Sequence, residues 1–300
     1  MTSLHILHLT DTHLFGDDSR HYDRVDTREH LTRALGHVGH LRFDLVVCSG
    51  DVSEDGTAES YRWLRETLGT WARERGARVV YAMGNHDRRE TFREVLGGGQ
   101  PDAREQVMAG TDEARPVASA AIVDGWRTIV LDSSIPQRGY GSIEPEQLEF
   151  LRSQLAAPAP NGTVLVIHHP PIDAQTELLQ ALALDADDTH ELLDVLRGSD
   201  VRVVLSGHYH LPLVETVAGV PVVVAPGVAN IARSFDDPRE ESAIDGFGGA
   251  VVDIRGERVR VAPFVERMSD DTEVFRFPAD IVARIIDAAG QPSTRADSVS

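Results

Sequence analysis

The sequence predicts an α/β protein, and three features carry that prediction. Five short apolar runs, Leu4 to Leu9, Leu45 to Cys48, Val79 to Met83, Val164 to Ile167 and Val201 to Leu205, read as buried strands. Segments whose apolar residues step by three or four lie between them, and strands alternating with helices up to about residue 210 predict a mostly parallel arrangement. Each strand also ends in Asp, His or Asn, which places metal-ligating side chains along one sheet edge. The five ends are Asp11-Thr12-His13, Gly50-Asp51, Gly84-Asn85-His86-Asp87, His168-His169-Pro170-Pro171 and Ser206-Gly207-His208-Tyr209-His210.

The helices follow from the spacing. Leu31, Leu35, Val38 and Leu41 form one stripe after Asp26-Thr27, residues suited to an N-cap, and Tyr61, Leu64, Leu68 and Trp71 form another. Residues 145–155, with Pro145 near the start, and residues 189–197 predict two more. Beyond residue 210 the pattern changes. Val220 to Ala225, Gly249 to Ile254 and Arg258 to Pro263 are apolar runs without intervening helices, and Arg255-Gly256-Glu257-Arg258 reads as a tight turn, so the last two runs predict an antiparallel hairpin. Ile281, Val282, Ile285, Ile286 and Ala289 give a C-terminal helix an apolar stripe, expected to dock on the core or on a second subunit in a homodimer. Gln291 to Ser300 has too little apolar content to fold. The expected organisation is one domain over residues 1–265 and a C-terminal extension over residues 266–300, comprising that helix and a disordered tail.

Composition narrows the function. With 29 Lys and Arg against 48 Asp and Glu, the formal charge is −19, which repels a nucleic-acid polymer. The densest basic stretch, Arg73 to Arg78, is short and interrupted by Glu74. A small anionic substrate drawn in by bound metal is the expected partner. The single cysteine, Cys48, rules out an intramolecular disulfide and a cysteine-rich zinc site, and its apolar neighbours suggest a buried small residue. No apolar run reaches the length of a membrane span. A removable secretory segment does not fit ahead of Asp11, so a cytoplasmic location is expected.

In an extended chain, residues i and i+2 share a side while neighbours oppose. Asp11 and His13 can therefore reach one metal region together, as can His208 and His210. Of the adjacent pairs Asn85-His86 and His168-His169, one member can face the metals while the other is free for chemistry or support. Taken singly, a Gly-Asp or His-His is usually a turn or a surface feature. Five such clusters in order at strand ends are not.

The series D-x-H, GD, GNHD, a His two residues before Pro, and GHxH resembles the calcineurin-like metallophosphoesterases over about residues 4 to 265. Within them, His168-His169-Pro170-Pro171, Gly207-His208-Tyr209-His210 and the stretch Gly139 to Ile143 before Glu146 to Leu151 are most similar to the class III cyclic nucleotide phosphodiesterases and related glycerophosphodiesterases. The resemblance implies a four-layer α/β/β/α sandwich of two mixed sheets flanked by helices. It also implies one metal held by Asp11, His13, Asp51 and His210, and a second held by Asp51, Asn85, His168 and His208, with Asp51 bridging. Oxygen and nitrogen ligands suit two divalent ions drawn from iron, manganese, zinc or cobalt, with iron and manganese favoured.

Two such ions contribute four positive charges, of which Asp11 and Asp51 remove two. The remainder accommodates one hydroxide and one phosphodiester monoanion, and in-line attack by a metal-bridging hydroxide follows. His86 is the expected catalytic residue, stabilising charge or protonating the leaving oxygen. The leading expectation is hydrolysis of a 3',5'-cyclic nucleotide such as cAMP. The alternatives are a glycerophosphodiester phosphodiesterase, a phosphomonoesterase and a non-catalytic scaffold.

Other residues receive plainer readings. His5, His8, His21, His30, His37, His40 and His190 fit no cluster and are expected on the surface or as satisfied helix and strand residues. His169 is expected to pack or to support ligands, and Asp87 either orients His86 or stabilises its loop. Phe15 to Asp26 could cover the metals, and Pro226 to Asn230 is expected in a loop near the site.

Overall fold

Successive side chains of a strand point to opposite faces, and the central strands of this chain bury both. In the first strand, Leu4 and Ile6 join one apolar core while Leu7 and Leu9 join another. The computed structural model describes residues 3–110, 114–233, 235–268 and 272–290. In chain order the first half runs β1 (Ser3–Leu9), α1 (Thr27–His37), β2 (Leu45–Ser49), α2 (Ala58–Arg73), β3 (Arg78–Ala82), α3 (Arg89–Leu96), β4 (Gln106–Val107), β5 (Ser119–Val123), β6 (Trp126–Leu131) and α4 (Pro145–Leu155). It continues with β7 (Gly162–Ile167), α5 (Glu177–Ala181), α6 (Ala186–Leu196), β8 (Val201–Ser206), β9 (Leu213–Val217), β10 (Val220–Val224), β11 (Ile231–Ala232), β12 (Glu241–Ile244), β13 (Gly246–Arg255), β14 (Arg258–Arg267), β15 (Glu273–Phe277) and α7 (Ala279–Ala289).

Two mixed sheets result, ordered β14-β13-β1-β2-β3 and β4-β5-β6-β7-β8-β10-β9. β1, β2 and β3 are mutually parallel, as are β6, β7, β8 and β10. Between the sheets lies a core that includes Ile6, Leu45, Val47 and Val80 from one and Val130, Val164, Val166 and Val203 from the other. The opposite faces bury Val46, Cys48 and Tyr81 with Leu31, Leu64 and Phe92 of α1, α2 and α3, and Leu165 and Ile167 with Leu148 and Leu192 of α4 and α6. This is the α/β/β/α sandwich. Burial pushes the Cys48 thiol up, in keeping with a small core residue.

Local signals start and stop these elements. The Asp26 side chain accepts from the Glu29 N–H at the start of α1, and Pro145 opens α4. Asp185 caps the N–H groups of Asp187 and Asp188, so α6 begins ahead of its apolar stripe. β13 and β14 pair antiparallel through Arg255 and Arg258, the expected hairpin. Two further hairpins were not expected. β5 and β6 turn at Asp124-Gly125 (φ 52° and 79°), and β9 and β10 at Ala218-Gly219 (φ 52° and 82°), the positive φ pairs that two-residue hairpin turns require.

A third, three-stranded sheet, β11-β12-β15, was also not expected. α7 forms on the predicted stripe, buries Val282 and packs against α5 and β15. The tail over 291–300 lies outside the described residues. Among the described residues, no helix is long and apolar enough to cross a membrane.

Candidate metal centre

The C-terminal ends of β1, β2, β3, β7 and β8 converge, and each carries its cluster to the same place. Five of the converging residues take a positive φ: Asp11 (52°), His13 (42°), Asp51 (45°), His208 (70°) and His210 (51°). Such backbones cost on the order of 1–3 kcal/mol each and persist where surrounding structure dictates them. These left-handed turns, rather than an extended alternation, bring Asp11 and His13 together. They also separate the other pair. His210 joins Asp11 and His13, whereas His208 joins Asp51 and His168, each trio having ligand atoms within 4.8 Å of one another.

Asp51 links its own trio to the other. Its Oδ2 is 3.3 Å from His168 Nε2 and 3.7 Å from His13 Nε2, while its Oδ1 accepts the His86 N–H at 2.9 Å. Asp11 Oδ1 lies 3.2 Å from His210 Nε2, and the Asp11 carboxylate accepts the His208 N–H at 3.0 Å. Three glycines permit this crowding. A Cβ at Gly84 would meet Asp51, one at Gly207 would meet Asp11, and one at Gly50 would meet the His168 ring.

Each imidazole is oriented by its other nitrogen. His13 Nδ1 is 2.6 Å from Glu54 Oε2, His168 Nδ1 donates to the Ser49 carbonyl oxygen at 3.0 Å, and His210 Nδ1 donates to Asn230 Oδ1 at 2.9 Å. In the neutral form of each ring these contacts leave Nε2 with its lone pair. His208 is reversed, because its Nε2 donates to the Leu182 carbonyl oxygen at 2.9 Å and leaves Nδ1. His13 Nε2 and His210 Nε2 approach to 3.3 Å, two lone-pair nitrogens converging on one point. His168 Nε2 and Asn85 Oδ1 are buried without a hydrogen-bond partner. Two fully buried carboxylates, converging acceptor nitrogens and orphaned acceptors form a donor set that fits divalent cations.

His86 sits at the rim, its side chain 39% exposed, with Nδ1 3.1 Å from Glu54 Oε2. Burial opposes its charged form, but the Asp51 and Glu54 carboxylates outweigh burial and lift it to about 10. Burial likewise opposes ionisation of Glu54, yet hydrogen bonds from His13 and His86 hold that carboxyl well below its usual range. Asp87 does not touch His86. Its carboxylate accepts from the N–H groups of Gly84 (2.8 Å), Ser53 (3.0 Å) and Val52 (3.2 Å) and from the Tyr61 hydroxyl (3.0 Å), binding the two loops together. His169 has both nitrogens engaged, Nδ1 with Ser133 Oγ at 2.8 Å and Nε2 with the Gly139 carbonyl oxygen at 3.1 Å.

His21 departs from its expected place. It is buried in the wall of the site, its ring 4.6 Å from that of His13, and its Nε2 receives Asn230 Nδ2 at 3.2 Å. Burial lowers its pKa to about 2, so it stays neutral there. The reason is the loop over residues 14–26, whose fold brings His21 and Tyr22 over the metal-facing residues; no local period reports that. His30 is buried and satisfied as expected, by Val228 and Asp245, whereas His8 is buried with Nε2 on Ser49 Oγ and Nδ1 without a hydrogen-bond partner. Glu54 was missed. Its only sequence signal is its position three residues after Asp51, and its histidine partners come from other segments.

A cavity of about 180 Å³ opens onto the candidate ligands His13, Asp51, Asn85, His208 and His210, and is lined also by Tyr22, Phe275, Phe277 and Leu178 and Leu179 of α5. Among solved structures, the fold is similar to that of GAP50, the anchor in the inner membrane complex of Plasmodium, with a TM-score of 0.56, 14% identity, and 99% of this chain and 98% of that one covered. A probable cyclic nucleotide phosphodiesterase of Rhodococcus erythropolis is 42% identical over 222 residues, 73% of this chain and 69% of that protein. A cAMP/cGMP dual specificity phosphodiesterase of Mycobacterium tuberculosis is 40% identical over 222 residues, 73% of this chain and 66% of that protein. The chain thus spans about two thirds of the length of these relatives. The family model for calcineurin-like phosphoesterases matches residues 4–212, a stretch that contains all five strand-end clusters. With its sandwich, its converging ligands and this match in agreement, the chain belongs to the calcineurin-like phosphoesterase family.

Proposed function

We propose that the protein is a dinuclear-metal phosphodiesterase acting on a small phosphodiester, a 3',5'-cyclic nucleotide such as cAMP, to give the 5'-nucleotide. The observation that carries this reading is Asp51 Oδ2, which belongs to one trio with His168 and His208 and lies 3.7 Å from His13 Nε2 of the other, at the mouth of one cavity. The names of the relatives support the substrate class. In this reading Asp11, His13, Asp51 and His210 would hold one ion, and Asp51, Asn85, His168 and His208 the other. Iron or manganese suits the mixed oxygen and imidazole donors. Divalent ions held by these residues would supply Lewis-acid charge for water activation and phosphate binding.

The chain's own residues then select and process the ester. Glu54 adds a third carboxylate beside Asp11 and Asp51, so a diester monoanion is favoured over a monoester dianion. With Nδ1 held by Glu54, His86 has Nε2 left to donate a proton to the leaving oxygen. Cations at the neighbouring ligands would return its pKa toward neutrality, where a general acid works best. Asp87 keeps the His86 loop against the Asp51 loop through its three N–H contacts. The surface charge of −19 disfavours polynucleotides, and we place the protein in the cytoplasm, where cyclic nucleotides are the accessible diesters.

The test is steady-state hydrolysis by metal-reconstituted protein of cyclic AMP, cyclic GMP, glycerophosphodiesters, phosphomonoesters and single-stranded DNA. Cyclic nucleotides should give the highest kcat/KM. Preference for glycerophosphodiesters would correct the substrate, preference for monoesters would overturn the charge argument, and inactivity on every ester by a metal-replete protein would indicate a scaffold.

A further inference from the structure

The cavity has two unlike walls. One is the metal-facing set with His86. The other is aromatic and apolar, built from Tyr22, Phe275 and Phe277 with Leu178, Leu179 and Leu182. The aromatic rings form a continuous run leading away from a metal-facing residue. His13 and His21 have centroids 4.6 Å apart, His21 and Tyr22 4.6 Å, Tyr22 and Phe275 4.6 Å, and Phe275 and Phe277 4.8 Å at an interplanar angle of 25°. Packing of a core does not account for this wall. Tyr22 is 46% exposed, Phe275 and Phe277 are only half-buried, and all three line the cavity.

The placement follows from the C-terminal sheet. Phe275 and Phe277 are alternate residues of β15, so their side chains share a face. β15 is held by antiparallel pairing with β12, and Arg24 ties the Tyr22 loop to it by donating to the Glu273 carbonyl oxygen at 2.9 Å. α7 packs on α5, the helix that supplies the leucines. Tyr22 and the leucines lie within residues 4–212, whereas Phe275 and Phe277, with β12, β15 and α7, lie beyond it, so the chain's C-terminal part supplies the two stacked phenyl rings of this wall.

We propose that Tyr22, Phe275 and Phe277 form a subsite on which the nucleobase of the substrate stacks, so that the segment beyond the phosphoesterase core confers preference for nucleotides over other diesters. This rests on the cyclic-nucleotide reading and extends it. The phosphate lies at the metals, and the base extends along the aromatic run to a surface of flat, half-exposed rings. Stacking accepts any base because each has a π-face. Adenine and guanine nucleotides are therefore held about equally well.

The experiment compares binding of AMP and of ribose 5-phosphate, which lacks the base, by calorimetry on metal-loaded wild type and on Phe275→Leu/Phe277→Leu. Wild type should favour AMP by about ten-fold or more, and the double variant should bring the two ligands within about two-fold by weakening AMP alone. Metal content and affinity for ribose 5-phosphate should not change. Tyr22→Leu, at an exposed loop position, provides a second variant if the first fails to fold, and should reduce the preference in the same direction. A preference that survives in folded variants overturns the subsite, as does parallel loss of both ligands, which would mark a purely structural wall. Wild type that turns over cyclic AMP while the variants keep their preference refutes only the subsite. Wild type that neither cleaves cyclic nucleotides nor favours AMP refutes the substrate reading and the subsite together.

Discussion

Glu54→Gln isolates one carboxylate that serves both halves of the site. Its Oε2 lies 2.6 Å from His13 Nδ1 and 3.1 Å from His86 Nδ1, while His21 Nδ1, at 3.7 Å, is beyond hydrogen-bond distance. Two charge-assisted contacts are therefore at stake. A hydrogen bond to a charged group contributes about 1.5–3 kcal/mol against about 1 kcal/mol for a neutral one, so losing the charge costs on the order of 1 kcal/mol per contact. The amide oxygen keeps two lone pairs and can still face both rings, so the substitution removes the charge and leaves the acceptor in place. On the His13 side the loss should appear as weaker metal binding, about 10- to 100-fold, the range for groups that orient a metal-ligating imidazole. On the His86 side it should appear as a roughly ten-fold lower kcat at saturating metal, since about 1.4 kcal/mol is a factor of ten. The assay is a metal titration followed by kcat at saturation, repeated in a His86→Ala background. There, Glu54→Gln should still weaken metal binding but lower kcat little further, because both changes act through one ring. Wild-type metal affinity in Glu54→Gln, or effects on kcat that multiply in the double variant, would refute the shared role.

Asp51→Ala should lose bound metal as well as activity; two full equivalents by metal analysis would remove Asp51 from the bridging position. His86→Ala should keep both metals and lose on the order of 100-fold in turnover, whereas His168→Ala should empty or weaken one site. The opposite pattern in metal content would reverse those roles. Gly84→Ala should destabilise the protein by about 1–3 kcal/mol and lower its metal affinity, because the new Cβ would run into Asp51 Oδ1 and the Asp51 backbone nitrogen. An unchanged Tm together with full metal content would show that the Asp51 loop can give way.

The alternation of strands and helices and the strand-end Asp, His and Asn clusters were legible in the sequence because each is written locally, whereas the four-layer sandwich was implied only by the family resemblance. A strand buried on both faces is a short apolar run, as at Val164 to Ile167, and a ligand on the residues just after it needs no long-range information to be placed at the strand's C-terminal end. Parallel strands align those ends, so five local signals summed to one site. The hairpin at Asp124-Gly125 is also written locally, in a dipeptide that favours two positive φ angles. What the sequence alone did not determine depends on contacts across long stretches of chain. Glu54 meets His13 across 41 residues, His21 meets Asn230 across 209, and Arg24 meets the Glu273 carbonyl across 249. No periodicity encodes such partners, since each depends on how a loop closes over the sheet edge. The i, i+2 rule assumed an extended chain, which neither pair adopts: left-handed backbones bring Asp11 and His13 together and send His208 and His210 to different trios. Only the packed fold supplies the contacts that sustain such backbones and place the aromatic residues of β15 across the cavity from the ligands.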